Sequence, residues 1–120
     1  SFTTTNNELF SDINTELFGW VIENLIKNAI DAMLGKGELN LSIESNLKKV
    51  KITVTDTGKG MPKKLFKQIF KPGFTTKKRG WGLGLSLSKR IVEDYHNGKI
   101  FVKKSEIDKG TTFQILLDKV

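Results

Sequence analysis

Between Thr15 and Met33 the apolar residues Leu17, Phe18, Val21, Ile22, Leu25, Ile26, Ala29, Ile30 and Met33 recur at every third or fourth position. That spacing lines one face of an amphipathic helix. Asn14 or Thr15 serves as its N-cap, and the glycines of LGKG stop it. The period then changes to two. ELNLSIES sets Leu39, Leu41 and Ile43 on one side, and KVKITVT sets Val50, Ile52 and Val54 on one side, which predicts neighbouring strands joined by NLKK. Alternation breaks at DTGKGMP, a turn-rich stretch, and Pro62 opens a short helix expected over Lys63 to Phe70. Lys71 to Trp81 carries only loop signals. A second long helix is predicted from near Gly82 to about Tyr95, with Leu83, Leu87, Ile91 and Val92 on its apolar side and Gly98 of HNG ending it. KIFVKKSE and TTFQILL, flanking IDKG, predict an antiparallel hairpin, and Phe2 to Thr5 with Leu9 to Ile13 a small hairpin around Asn6-Asn7. Strands with one apolar face, segregated from helices, predict an α+β two-layer sandwich in which helices pack on one face of a mixed sheet.

Composition narrows this in three ways. A chain of 120 residues supports one core, so residues 1–120 are expected to form a single domain, of which 1–13 is the start. No apolar run reaches the length of a membrane span, and SFTTTNNELF has neither the basic nor the apolar part of a secretory signal. The domain is therefore expected to be cytoplasmic and to come from a longer chain, with any membrane anchor of the parent lying in segments outside this sequence. Without cysteine there are no disulfides and no thiolate metal sites. The net charge of +7 is concentrated: no acidic residue occurs between Thr57 and Val92, a stretch holding Lys59, Lys63, Lys64, Lys67, Lys71, Lys77, Lys78, Arg79, Lys89 and Arg90. Such a field favours an anionic partner, a phosphate-bearing ligand ahead of a nucleic acid.

Four polar features break the structural pattern. Asn24 and Asn28 lie one turn apart on a core helix although Asn is a mediocre helix former, and an amide oxygen is a hard, neutral donor suited to Mg²⁺. DTGKG ends a strand with a carboxylate, Asp56, followed by two glycines, Gly58 and Gly60, that permit unusual backbone angles. FKPGFTTKKRG places Lys77 and Arg79 in a glycine-bounded loop. GWGLGLS, Gly80 to Ser86, sets uncovered backbone amides before a helix, an arrangement that favours anions. It is no Walker loop, since no glycine precedes Lys-Ser or Lys-Thr, and Leu85 and Leu87 stand where a dinucleotide fold or a protein-kinase loop needs its third glycine.

In order, NLIKNAIDA, DTGKGMP, FKQIFKPGFTTK and GWGLGLSLSKRIVE resemble the N, G1, F and G2 boxes of sensor histidine kinase catalytic domains. These belong to the superfamily of DNA gyrase, the heat-shock chaperone ATPases and the mismatch-repair ATPases. The resemblance runs from about Asn14 to Leu117 and implies a Bergerat-type fold that binds ATP and Mg²⁺. It implies Asn28 as the metal ligand and Asp56 as acceptor for the adenine amino group, with Thr111 nearby and Gly58 and Gly60 letting the chain pass close to the base. Lys77 reaches the phosphates from a lid, Arg79 is a further contact, and the backbone of Gly82, Leu83, Gly84 and Leu85 cradles them. Asn24 stands where hydrolytic relatives carry a water-activating glutamate, and an amide cannot act as a general base. Glu23 points about a third of a turn away. Asp31, where many histidine kinases carry lysine or tyrosine, is expected to bond ordered water near the metal.

The implied reaction passes the γ-phosphoryl group to a histidine. His96 is the sole histidine and has no H-box surroundings, so the acceptor is expected on a dimerisation domain upstream of Ser1, with a response regulator downstream. The parent is expected to be a homodimer and the isolated domain a monomer, with no nucleic-acid partner. Two other readings remain: an ATPase or serine kinase of the same superfamily, and a non-catalytic nucleotide- or nucleic-acid-binding module. Trp81, within the glycine run, is expected near the lid.

Overall fold

The computed structural model describes residues 15–72, 84–95 and 97–118. Helix α1, Thr15–Ala32, leads into strands β1, Leu39–Ser45, and β2, Lys49–Asp56. Two single 3-10 turns follow, Lys63–Leu65 and Gln68–Phe70, and then helix α2, Gly84–Arg90, which continues as a π turn over Ile91–Tyr95. Strands β3, Lys99–Glu106, and β4, Gly110–Asp118, complete the domain.

The strands form one sheet in the order β1-β2-β4-β3. Every ladder among the described residues is antiparallel, so the sheet is not mixed there, contrary to expectation; the predicted N-terminal hairpin lies outside the described residues. Alternation places Val50, Ile52 and Val54 of β2 and Phe113, Ile115 and Leu117 of β4 on one face, where they meet Phe18, Val21, Ile22 and Leu25 of α1. Each such side chain taken out of water contributes about 1.5–3 kcal/mol. Phe70 closes the layer with its ring edge-on to Phe113, centroids 6.2 Å apart. The opposite sheet face is polar, stitched by Thr55 to Thr112 (3.2 Å between hydroxyls) and by Gln114 Nε2 donating to Thr53 Oγ1 at 3.3 Å. The expected α+β sandwich with helices on one face is thus observed. Among the described residues no helix is long and apolar enough to cross a membrane.

Three local expectations need correction. The single helix predicted over Lys63 to Phe70 is two 3-10 turns, because so short a segment gains little from α propagation and the burial of Ile69 and Phe70 decides its shape. The second long helix is a short α-helix widened into a π turn. Of its predicted apolar side, Val92 is wholly buried and Ile91 packs against the core, but Leu87 is 40% exposed and the wholly buried Ser88 takes its place. Gly84 and Ser88 let α2 approach α1 closely, and small or polar residues carry no hydrophobic signal in a sequence.

Candidate functional site

The site is organised by one row of α1. Asn24, Asn28 and Ala32 are successive i,i+4 positions, so they share a line along the helix that spans about 12 Å. At its start, Asn24 Nδ2 donates to Ser88 Oγ at 3.2 Å, and Ser88 in turn donates to the Gly84 carbonyl at 2.8 Å. A Cβ on Gly84 would lie 2.7 Å from Asn24 Oδ1, so the first turn of α2 sits directly on this side chain. At its end, the Ala32 carbonyl accepts from the Lys59 amide at 3.0 Å, and a Cβ on Gly58 would meet Ala32 O at 2.6 Å. One rigid element therefore holds both the glycine-rich helix start and the DTGKG loop. Replacing Asn24 with Ala is expected to cost about 1 kcal/mol and several degrees of melting temperature, read by calorimetry; an unchanged melting point would show that the Asn24–Ser88 bond carries no stability.

Asp56 closes β2 on the core-facing side and is 5% exposed. Its Oδ1 accepts from the Gly58 amide at 2.8 Å and the Thr111 amide at 3.3 Å. Burial pushes the carboxyl above its ordinary value, and these two amide bonds pull part of the way back. Thr111 is the ladder partner of Asp56, so both side chains share one sheet face. Two glycines build this corner. Gly60 sits at φ +66° with its α-carbon against the Glu106 carbonyl, where a Cβ would come within 1.9 Å, and Gly110, at φ +108°, packs on the Asp56 carbonyl. Asp108 N donates to the Lys59 carbonyl at 2.7 Å, tying the loop to the β3–β4 turn. What the glycines of DTGKG visibly approach is therefore neighbouring backbone.

The structure thus brings Asn24 and Gly84 together at one end of the row and Asp56, Gly58, Gly60 and Thr111 at the other, with Asn28, half-buried, between them. Leu85 packs its side chain against the core, so its backbone is what remains for a ligand. Asp31 and Glu23 are exposed on α1, off that row. Lys77, Arg79, Trp81, Gly82, Leu83 and His96 lie outside the described residues. Three participants escape a reading of the sequence: Ser88, Met61, whose amide donates to Ser105 Oγ at 2.9 Å, and Ser105 itself. The repeated lysine inside KIFVKKSE is the available signal for Ser105, since strict alternation would turn Lys104 into the core.

These features define the α+β class of histidine kinase catalytic domains, and the structure overlays on one of them, that of the histidine kinase ThkA, with a TM-score of 0.79 and 36% identity over 89% of this chain and 69% of that one. The family model described as "Histidine kinase-, DNA gyrase B-, and HSP90-like ATPase" matches residues 14–120, and the chain belongs to that family. It is 41% identical over 97 residues to sporulation kinase C of Bacillus subtilis, covering 81% of this chain and 22% of that protein. To the sensor histidine kinase ZraS of Salmonella typhimurium it is 45% identical over 98 residues, covering 81% and 21%. The chain thus spans about a fifth of the length of these relatives.

Proposed function

We propose that this domain binds Mg-ATP and donates the γ-phosphoryl group to a histidine on a dimerisation domain of its parent chain, in a cytoplasmic two-component kinase. The observation that carries the reading is the α1 row, which joins a carboxylate corner to a glycine-rich helix start. In this reading Asp56 accepts a hydrogen bond from the adenine amino group beside Thr111, and the amides of Gly84 and Leu85 face the phosphates. Lys77 and Arg79 are assigned to the same phosphates from the family motif, as are Gly82 and Leu83. Among the described residues no three His, Cys, Asp or Glu side chains gather, so a metal would rely on few protein ligands. The Asn28 amide oxygen fits Mg²⁺, which takes one or two protein oxygens and completes its shell with phosphates and water. Bound there, Mg²⁺ supplies charge neutralisation on the phosphates.

Asn24 bears on which reaction follows. Its amide cannot take a proton from water, and its Nδ2 is engaged with Ser88. A neutral imidazole needs no such base: its nitrogen attacks the γ-phosphorus, the bond to the bridging oxygen breaks, and ADP leaves with the electron pair. The acceptor histidine is placed on the dimerisation domain, and the phosphoryl group then passes to a response regulator. A structure of ThkA in complex with the response regulator TrrA aligns with this chain at a TM-score of 0.70 and 36% identity, covering 83% of this chain and 28% of that one, and supports this class of partner. The test is calorimetric titration with a non-hydrolysable ATP analogue and Mg²⁺, for which saturable binding below millimolar concentration is expected, with little turnover by the isolated domain. No binding at millimolar nucleotide refutes the proposal, and turnover abolished by Glu23→Gln would identify a hydrolase instead.

A further inference from the structure

On β3 the pairing register shifts between Val102 and Lys104. Ile100 and Val102 point into the core, so uninterrupted alternation would carry Lys104 inward and Ser105 outward. The extra residue of the bulge reverses that parity. Ser105 becomes the partner of Thr111 on the inner face, and Thr111 is paired from its other side with Asp56. A bulge that re-aims a hydroxyl beside the one buried carboxylate among the described residues invites a count of protons.

A serine hydroxyl has one proton and two lone pairs. Ser105 Oγ accepts from the Met61 amide at 2.9 Å and lies 3.0 Å from the Gly110 carbonyl, which can only accept. The Ser105 proton therefore goes to Gly110. The remaining contact, 2.8 Å to Thr111 Oγ1, is then filled by the Thr111 proton. Thr111 is left with lone pairs alone toward the Asp56 corner, and an ionised carboxylate is likewise an acceptor only. We propose that Ser105 is a specificity-determining positioning residue: by drawing the Thr111 proton away, it makes this corner an all-acceptor surface. Such a surface fits a base with an amino donor at its six-position, as in adenine, and rejects one with a carbonyl there, as in hypoxanthine or guanine, because acceptor would face acceptor.

This inference rests on the proposed ATP reading, and its test separates the two. ADP and IDP are titrated calorimetrically into the domain and into its Ser105→Ala, Ser105→Thr and Thr111→Val variants, with melting curves to confirm folding. The wild type is expected to prefer ADP. Ser105→Ala frees the Thr111 hydroxyl to donate to the six-carbonyl, so the ADP-to-IDP affinity ratio falls about fivefold or more. Ser105→Thr, which keeps the hydroxyl, restores the ratio, and Thr111→Val lowers it by weakening ADP alone. A ratio unchanged in Ser105→Ala, or equal losses for both nucleotides, overturns the role of Ser105 while leaving the ATP reading intact. Should Ser105→Ala not fold, a wild-type ratio in Thr111→Val overturns it instead. A wild type that binds neither nucleotide overturns the ATP reading itself.

Discussion

Replacing Asp56 with Asn is expected to lower ATP affinity about a hundredfold while leaving the domain as stable as before or slightly more so. The amide can keep an oxygen on the Gly58 and Thr111 amides, so the corner holds its shape. What changes is the second position of the head group, where an acceptor becomes an NH₂ donor facing the amino donor of adenine. The stability expectation follows from burial, since an amide carries no charge to desolvate. The raised carboxyl value also sets a pH dependence for the wild type. As pH climbs past the ordinary aspartate range, the unfolded chain ionises first and the folded carboxyl later, so this group's contribution to stability declines across that window and then levels off. Binding moves the other way. The acceptor pair is complete only when Asp56 is ionised, so ATP affinity falls on acidification, and it does so at higher pH than an ordinary aspartate would give. Titrations from neutral pH downward should show this limb in the wild type and not in Asp56→Asn. Equal affinities for the two proteins at neutral pH would remove Asp56 from the base contact.

Gly60→Ala is expected to be strongly destabilising. Its backbone lies in the left-handed region at φ +66°, and the added Cβ would fall 1.9 Å from the Glu106 carbonyl oxygen. Glu106 is held by its own ladder and turn, so the loop, not the strand, must give way. A cost of about 3 kcal/mol or more follows, a large share of a total stability that is typically about 5–15 kcal/mol. In calorimetry this corresponds to a fall of roughly 10–20 °C in melting temperature. Gly19 is the matched control: it lies within α1 with nothing inside 4 Å of the position a Cβ would take, and Gly19→Ala is expected to be neutral or to stabilise by about 0.5–1 kcal/mol. Similar melting points for the two variants would show that the close approach at Glu106 is relieved at little cost.

The contrast between these glycines also indicates what the amino-acid order alone can convey. Helix α1 and the strand pairs are legible because each buries one face, and periods of 3.6 and two record which face that is. Val50, Ile52 and Val54 lie where alternation puts them, and the β1–β2 and β3–β4 pairings match expectation. Asp56 stands out as a carboxylate ending an apolar strand. The rest is set by contacts with no hydrophobic signature. Periodicity puts Leu87 on the buried side of α2, yet Ser88 takes that place because Asn24 and Gly84 meet it there. Ser105 is hidden because a bulge changes strand parity without changing composition. Nor does DTGKG reveal that Gly58 and Gly60 lie against Ala32 and Glu106, contacts distant in sequence.

The line from Asn24 to Ala32 has a consequence for how such a domain could be altered. Its two anchor points lie eight residues apart, about 2.2 helical turns and about 12 Å, so both their separation and their relative angle are fixed by the helix itself. A single residue inserted between them would rotate one anchor about 100° away from the other and lengthen the gap at the same time. Distance and angle are thus locked together like a key cut to one length. Adaptation of this domain to other ligands would have to proceed through the side chains and loops at the two ends, with the helix between them kept at constant length.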